Sequence, residues 1–135
     1  MKRLFLDANV LFTAAHNPSG KAALIIALAA AGHWQVVTSA LAVEEARRNL
    51  ERKYPERCAI LAELLESVET VPGGDGFACP IELPTKDRPI FEAAMISGAG
   101  HLLTGDTRHF GRYMNQPALT HGICVQTVAD YLDDL

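Results

Sequence analysis

Four acidic residues sit where a folded chain has little use for isolated charge: Asp7, Glu45, Asp87 and Asp106. Asp7 follows the apolar run Leu4-Phe5-Leu6 and precedes Ala8-Asn9-Val10-Leu11-Phe12. Asp106 follows Leu102-Leu103-Thr104-Gly105 in the same manner. A short continuous apolar run reads as a buried strand. Both acids therefore fall at strand carboxyl ends, where open α/β sheets bind their ligands. Asp87 precedes Ile90 and Phe91 by three and four residues, which gives it their inward face on a helix. Glu45 flanks an Ala42/Ala46/Leu50 stripe beside Asn49, whereas Glu44 points nearer the solvated side.

Each acid has a plainer role open to it. Asp7, Asp87 and Asp106 are good helix N-caps. Glu44 or Glu45 could pair with a surface cation, as Glu44 could with Arg48. Taken together, the four make a stronger pattern. Like-charged carboxylates do not stay close and ionised without compensation, and a divalent cation supplies it. Oxygen ligands without organised His or Cys favour Mg²⁺ or Mn²⁺ over Zn²⁺. Such an ion polarises a phosphoryl oxygen and lowers the pKa of a bound water. Lys86 and Arg88 bracket Asp87, and Arg108, His109 and Arg112 follow Asp106; these could hold phosphates, or be ordinary solvated charge. The other histidines are scattered.

These groups need elements to position them. Strands are expected over residues 2–6, 34–38, 68–71, 101–104 and 123–126. Helices are expected over 9–15, 21–31, 40–53, 87–97 and 128–132, with another after Pro55 and a short one within 107–114. Ser19 is the expected cap of the second helix, and Ser39 or Thr38 of the third. The alternation predicts βαβ units and a mostly parallel sheet. Residues 72–86 read as irregular, and a loop that long is often functional.

The chain has 135 residues, of which 49% are hydrophobic and 21% charged. That length and balance predict a single globular domain over 1–135. A net charge of −4 is no nucleic-acid footprint, so a nucleic-acid enzyme of this composition would depend on local basic groups and a metal. The longest apolar run, 22–31, is too short to span a bilayer. It is apolar all round, which suits a core helix or a contact between two copies of the chain, a homodimer. No signal peptide is expected. Cys58, Cys79 and Cys124 are odd in number and far apart, which argues against disulfides or zinc and for a cytoplasmic setting.

The sequence resembles PIN-domain proteins, of the kind that includes the VapC-like toxins of toxin–antitoxin systems. The resemblance is carried by Leu6-Asp7-Ala8-Asn9-Val10-Leu11, by Thr38-Ser39 with Glu45, by Asp87 with Ile90, Ala93 and Ala94, and by Leu102 through Phe110. It implies a three-layer α/β/α domain around a central, mostly parallel sheet of about five strands. It implies metal ligands and catalytic acids at Asp7, Glu45, Asp87 and Asp106, with Asn9 and Thr104 as polar neighbours. It further implies Mg²⁺- or Mn²⁺-dependent cleavage of RNA and, for a toxin, an antitoxin protein as partner. Two departures stand out. Glu44 adjoins Glu45, so the ligand could be either. Residues 72–86, with Cys79, Pro80 and Pro84, exceed the minimal pattern and could gate or shape a substrate groove. Other readings are a PIN nuclease outside any toxin–antitoxin pair, a non-catalytic acidic α/β binding module, and a phosphatase-like hydrolase with Asp7 as nucleophile. The last would want a second Asp where Asn9 stands.

Overall fold

The computed structural model describes residues 1–135. The chain runs β1 (Arg3–Leu6), α1 (Ala8–His16), α2 (Lys21–Ala30), β2 (Gln35–Ser39), α3 (Ala40–Lys53), α4 (Cys58–Leu65), β3 (Glu69–Val71), α5 (Arg88–Ile96), β4 (His101–Leu103), α6 (Thr107–Phe110), β5 (Cys124–Gln126) and α7 (Val128–Asp133). The five strands are all parallel, in the order β3-β2-β1-β4-β5. A parallel sheet is covered on both faces, so its inner strands read as apolar runs. Leu4, Phe5 and Leu6 of the central strand are accordingly fully buried. The architecture is the three-layer α/β/α arrangement expected from the sequence.

Strand order determines where the acids meet. The chain leaves β1 toward β2 and β3 on one side, then returns to add β4 and β5 on the other. The crevice at such a reversal, beyond the strand carboxyl ends, is where open α/β sheets place ligands. Leu6 of β1 pairs in register with Leu103 of β4. Asp7 and Thr104, the next residue of each strand's chain, therefore emerge side by side.

The flanking helices bury one face each. α1 buries Val10, Leu11, Ala14 and Ala15, and α3 buries Ala42, Ala46 and Leu50. The alanines let these two helices approach each other closely. Ser39 caps α3, its hydroxyl accepting from the Ala42 N–H at 3.1 Å. α5 buries Ile90, Phe91, Ala93 and Ala94, with Pro89 in its first turn, where no N–H is needed. The 34 buried apolar residues form one continuous cluster.

Several local expectations are corrected. Gly20, not Ser19, is the N-cap of α2, and no side chain caps that end. α2 is not buried all round: Ala22, Ala23, Ile25 and Ile26 face inward, while Leu24 is 44% exposed. α5 starts one residue late because Thr85–Asp87 forms a tighter 3₁₀ turn ahead of it. The expected helix within 107–114 is split into α6 and a 3₁₀ turn, Gly111–Tyr113. All three cysteines are free. No helix is long and apolar enough to cross a membrane.

Residues 72–84 have no regular structure but are tied down. The Ala78 N–H donates to the buried Glu92 carboxylate at 3.0 Å. Arg88 Nε donates to the Gly76 carbonyl at 3.0 Å, and Nη2 to that of Cys79 at 3.4 Å. Gly76 lies at φ +91°, a conformation that favours glycine. At Gly74 a Cβ would sit 1.5 Å from Glu92 Oε1, so any larger residue there would have to displace that anchor.

Candidate active site

Asp7 is 4% exposed at the end of β1. Its Oδ1 accepts from the Ala8 N–H at 2.7 Å, which caps α1. Its Oδ2 accepts from the Thr104 hydroxyl at 2.9 Å and the Asn9 amide at 3.3 Å. Asn9 Oδ1 in turn accepts from the Gly105 N–H at 2.6 Å, stapling the ends of β1 and β4 together. The Asp106 N–H donates to Thr104 Oγ1 at 3.1 Å, so one hydroxyl orients both strand-end acids. Thr104 is fully buried, which leaves its hydroxyl to the strand-end acids and not to a substrate-binding role.

Asp106 caps α6 with Oδ1, which accepts from the His109 N–H at 3.0 Å. Its Oδ2 lies 2.9 Å from His109 Nδ1, and Asp87 Oδ2 lies 2.8 Å from the same nitrogen. Asp87 Oδ2 and His109 Nδ1 face each other in this buried contact, and Asp87 Oδ2 has no other polar partner. Asp87 is 7% exposed. Ligand atoms of Asp87, Asp106 and His109 all lie within 4.8 Å of one another. His109 thus sits between two acids rather than at a phosphate-facing position.

The electrostatics record the crowding. Burial pushes the Asp7 carboxyl up from 3.8 to about 6, against the pull of its bonds to Thr104 and Ala8; the Glu45 and Asp87 charges add a smaller upward push. Burial also raises the Asp87 carboxyl, with Asp106 adding to the rise while His109 and Lys86 oppose it.

Asp7, Glu45, Asp87 and Asp106 all line one cavity of about 540 Å³, with Asn9 and Lys86 beside them. Glu44 lies outside it and pairs with Arg47 and, at 3.9 Å, with Arg48. Neither Arg88 nor Arg108 lines the cavity: the Arg88 guanidinium turns back to the 72–84 loop, and Arg108 is exposed. The same cavity is also lined by Phe12, Arg48, Asn49 and Lys53, which were not among the sequence candidates. Their signal was present: Glu45, Arg48, Asn49 and Lys53 share one face of α3 at helical spacing.

The donor set fits a hard divalent cation. It consists of carboxylate oxygens around Asp7, an acid whose proton affinity is raised by burial and, to a smaller extent, by the neighbouring Glu45 and Asp87 charges.

A parallel α/β/α sheet with converging carboxylates at its reversal point defines an acid-site α/β domain. Residues 3–108 match the family model of the PIN domain, and the chain belongs to that family. Solved structures share the fold. VapBC2 from Rickettsia felis, bound to a DNA fragment from its promoter, superposes with a TM-score of 0.66 at 14% identity, covering 93% of this chain and 98% of that one. VapBC-1 from nontypeable Haemophilus influenzae gives 0.61 at 17% identity, covering 94% and 98%. VapC20 from Mycobacterium tuberculosis, a toxin that cleaves the sarcin–ricin loop, gives 0.52 at 16% identity, covering 73% and 86%. A search of curated proteins finds no match.

Proposed function

We propose that this chain, folding as one domain over 1–135, is a Mg²⁺- or Mn²⁺-dependent endoribonuclease and the toxin of a cytoplasmic toxin–antitoxin pair. The observation that carries the reading is the convergence of four carboxylates on a cleft where no arginine or lysine pairs with any of them. Asp7, Glu45, Asp87 and Asp106 are the residues to hold the cation. When bound there, it supplies Lewis acidity toward a phosphoryl oxygen and a more acidic water.

The chain's own groups do the rest. Thr104 and Asn9 hold Asp7 in one orientation. His109 stands against Asp87 and Asp106 and fixes their spacing. Lys86, on the cavity wall, is placed to take a non-bridging phosphate oxygen. The antitoxin part of the reading rests on the similarity in fold to VapBC and VapC structures.

The test is cleavage of labelled RNA by wild type, Asp87→Asn and Asp106→Asn in Mg²⁺, Mn²⁺ and EDTA, with Mn²⁺ titration calorimetry on each. Cleavage that needs the metal and both acids supports the nuclease. Full cleavage by both variants sinks it. A wild type without metal affinity leaves the acidic binding module as the better account. Growth arrest on expression, relieved by the product of a small adjacent reading frame, tests the toxin assignment.

A further inference from the structure

We infer that the wall of the cleft away from the acids is a nucleobase subsite: Phe12, flanked by Arg48, Asn49 and Lys53, stacks an unpaired base of a single-stranded RNA. The inference rests on the nuclease reading and specifies its substrate. Phe12 is one of only three hydrophobic residues on an otherwise polar cavity, and it is half-buried, packed on the core yet open to the cleft. The ring belongs to an aromatic cluster, with Tyr54 6.1 Å away and tilted by 50°. His16 stacks on it at 6.0 Å between centroids, 26° from parallel, and Tyr54 stacks on His16 at 4.1 Å and 26°. A rigid aromatic face is what sequence-tolerant recognition of single strands uses.

The cations around the ring point to the same ligand. Lys53 Nζ lies over the Phe12 ring, 5.7 Å from its centroid, where an incoming base would take its place, and it pairs with no carboxylate. The one carboxylate near Arg48 is that of Glu44, at 3.9 Å. Both cations are thus available to phosphate while the acids remain at the other end. Along α3 the cleft changes sign, with Glu45 at the acidic end and Lys53 two helical turns beyond it. At the rise of an α-helix, those turns span about 12 Å. That distance suits a strand whose scissile phosphate meets the acids while a neighbouring nucleotide reaches Phe12. A paired base keeps its faces inside the helical stack, so the subsite selects single strands or splayed loops over duplex.

The test is direct binding by the full chain in EDTA, where the metal-dependent cleavage proposed above does not run. The probe is a labelled oligoribonucleotide carrying 2-aminopurine, single-stranded and as a duplex. Wild type is expected to favour the single strand and to quench the 2-aminopurine. Phe12→Ala should weaken binding between about fivefold and a hundredfold. Phe12→Leu, which keeps the apolar packing against the core, should lose the quench, and Phe12→Tyr should keep it. Folded Leu and Ala variants that bind and quench as wild type does overturn the inference, as does a preference for duplex. If those variants instead lose only affinity for a protein antitoxin, the wall is a peptide site and the inference falls. A wild type that cuts no RNA with any divalent ion removes the nuclease reading, while the stacking measurement in EDTA still reads Phe12 by itself.

Discussion

The two ends of the same sheet treat charge in opposite ways. At the amino ends of the strands, Arg3 of β1 reaches across to Glu69 of β3, with Nη2 donating to Oε2 at 2.8 Å and Nη1 to Oε1 at 3.2 Å. Its Nε donates to the Ser97 carbonyl at 2.6 Å, just before β4. Glu69 has a cation, and the bond from Arg3 holds its carboxyl below the usual range. At the carboxyl ends, Asp7, Asp87 and Asp106 gather with no arginine or lysine paired to them, and burial pushes Asp7 and Asp87 up instead. One end is built for stability, the other at the expense of it. A site meant to take a cation must stay short of positive charge of its own, and buried carboxylates left that way cost folding energy.

That contrast can be broken most sharply at the acids. Asp87→Asn or Asp106→Asn should lower RNA cleavage by at least about a hundredfold, the upper range for loss of groups that merely support a metal. Cleavage within twofold of wild type would make the carboxyl end no more functional than the amino end. Next in size is a gain in stability. Asp7 titrates near 6 in the fold against 3.8 without it. The folded form therefore holds the Asp7 proton more tightly, and stability falls as pH rises from about 4 through 6. Without metal, Asp7→Asn should be more stable than wild type at pH 7.5, by up to roughly 3 kcal/mol, and no more stable at pH 4. Denaturant melts at the two pH values decide it; an equal loss at both would mean the hydrogen bonds of Asp7 outweigh its charge. Mn²⁺ at a hundred times its dissociation constant should return about 2.7 kcal/mol to wild type and little to Asp106→Asn.

Smaller effects sharpen the picture around this edge. Arg88→Ala removes two ties to the 72–84 loop. The expected loss is about 2 kcal/mol, at roughly 1 kcal/mol per hydrogen bond. Proteolysis within the loop should quicken with it. Unchanged protease sensitivity would show that the Glu92 bond to Ala78 and the Tyr113 hydroxyl bond to the Glu82 carbonyl hold the loop without it. Arg3→Ala removes a partner from Glu69, which is largely exposed. It also removes the Nε bond to the Ser97 carbonyl, which should cost about 1 kcal/mol, and it should leave cleavage intact. A fall in cleavage there would mean the two ends are coupled through the sheet.

What the sequence revealed follows from how locally each feature is determined. Asp7 and Asp106 are legible because an apolar strand and its first polar residue are neighbours in the chain. The sheet class is legible because strands and helices alternate. Long flexible side chains defeat such reading: Arg88 stands beside Asp87 in sequence, yet its guanidinium reaches back to loop carbonyls that sequence cannot locate. The place of His109 depends on the tight turn of α6, which brings a residue three positions past Asp106 onto both acids. Thr104 is placed beside the acids by its position at the end of a strand, but its complete burial follows from the pairing of β1 with β4, which sequence does not show. Phe12 carries the pattern of a core residue, and only its place on the cavity wall, which sequence does not reveal, sets it apart.

The register of β1 against β4 also sets when the site comes into being. Asp7 is made well before the hydroxyl that orients it, which belongs to Thr104, 97 residues later. At about 5–20 residues per second, that interval is about 5–20 s of translation. Throughout it the nascent chain carries Asp7 without Thr104 or Asp106, so it cannot form the complete carboxylate edge. On the nuclease reading proposed above, the chain lacks its complete acidic edge over that interval on the ribosome that makes it, because of the order of its strands.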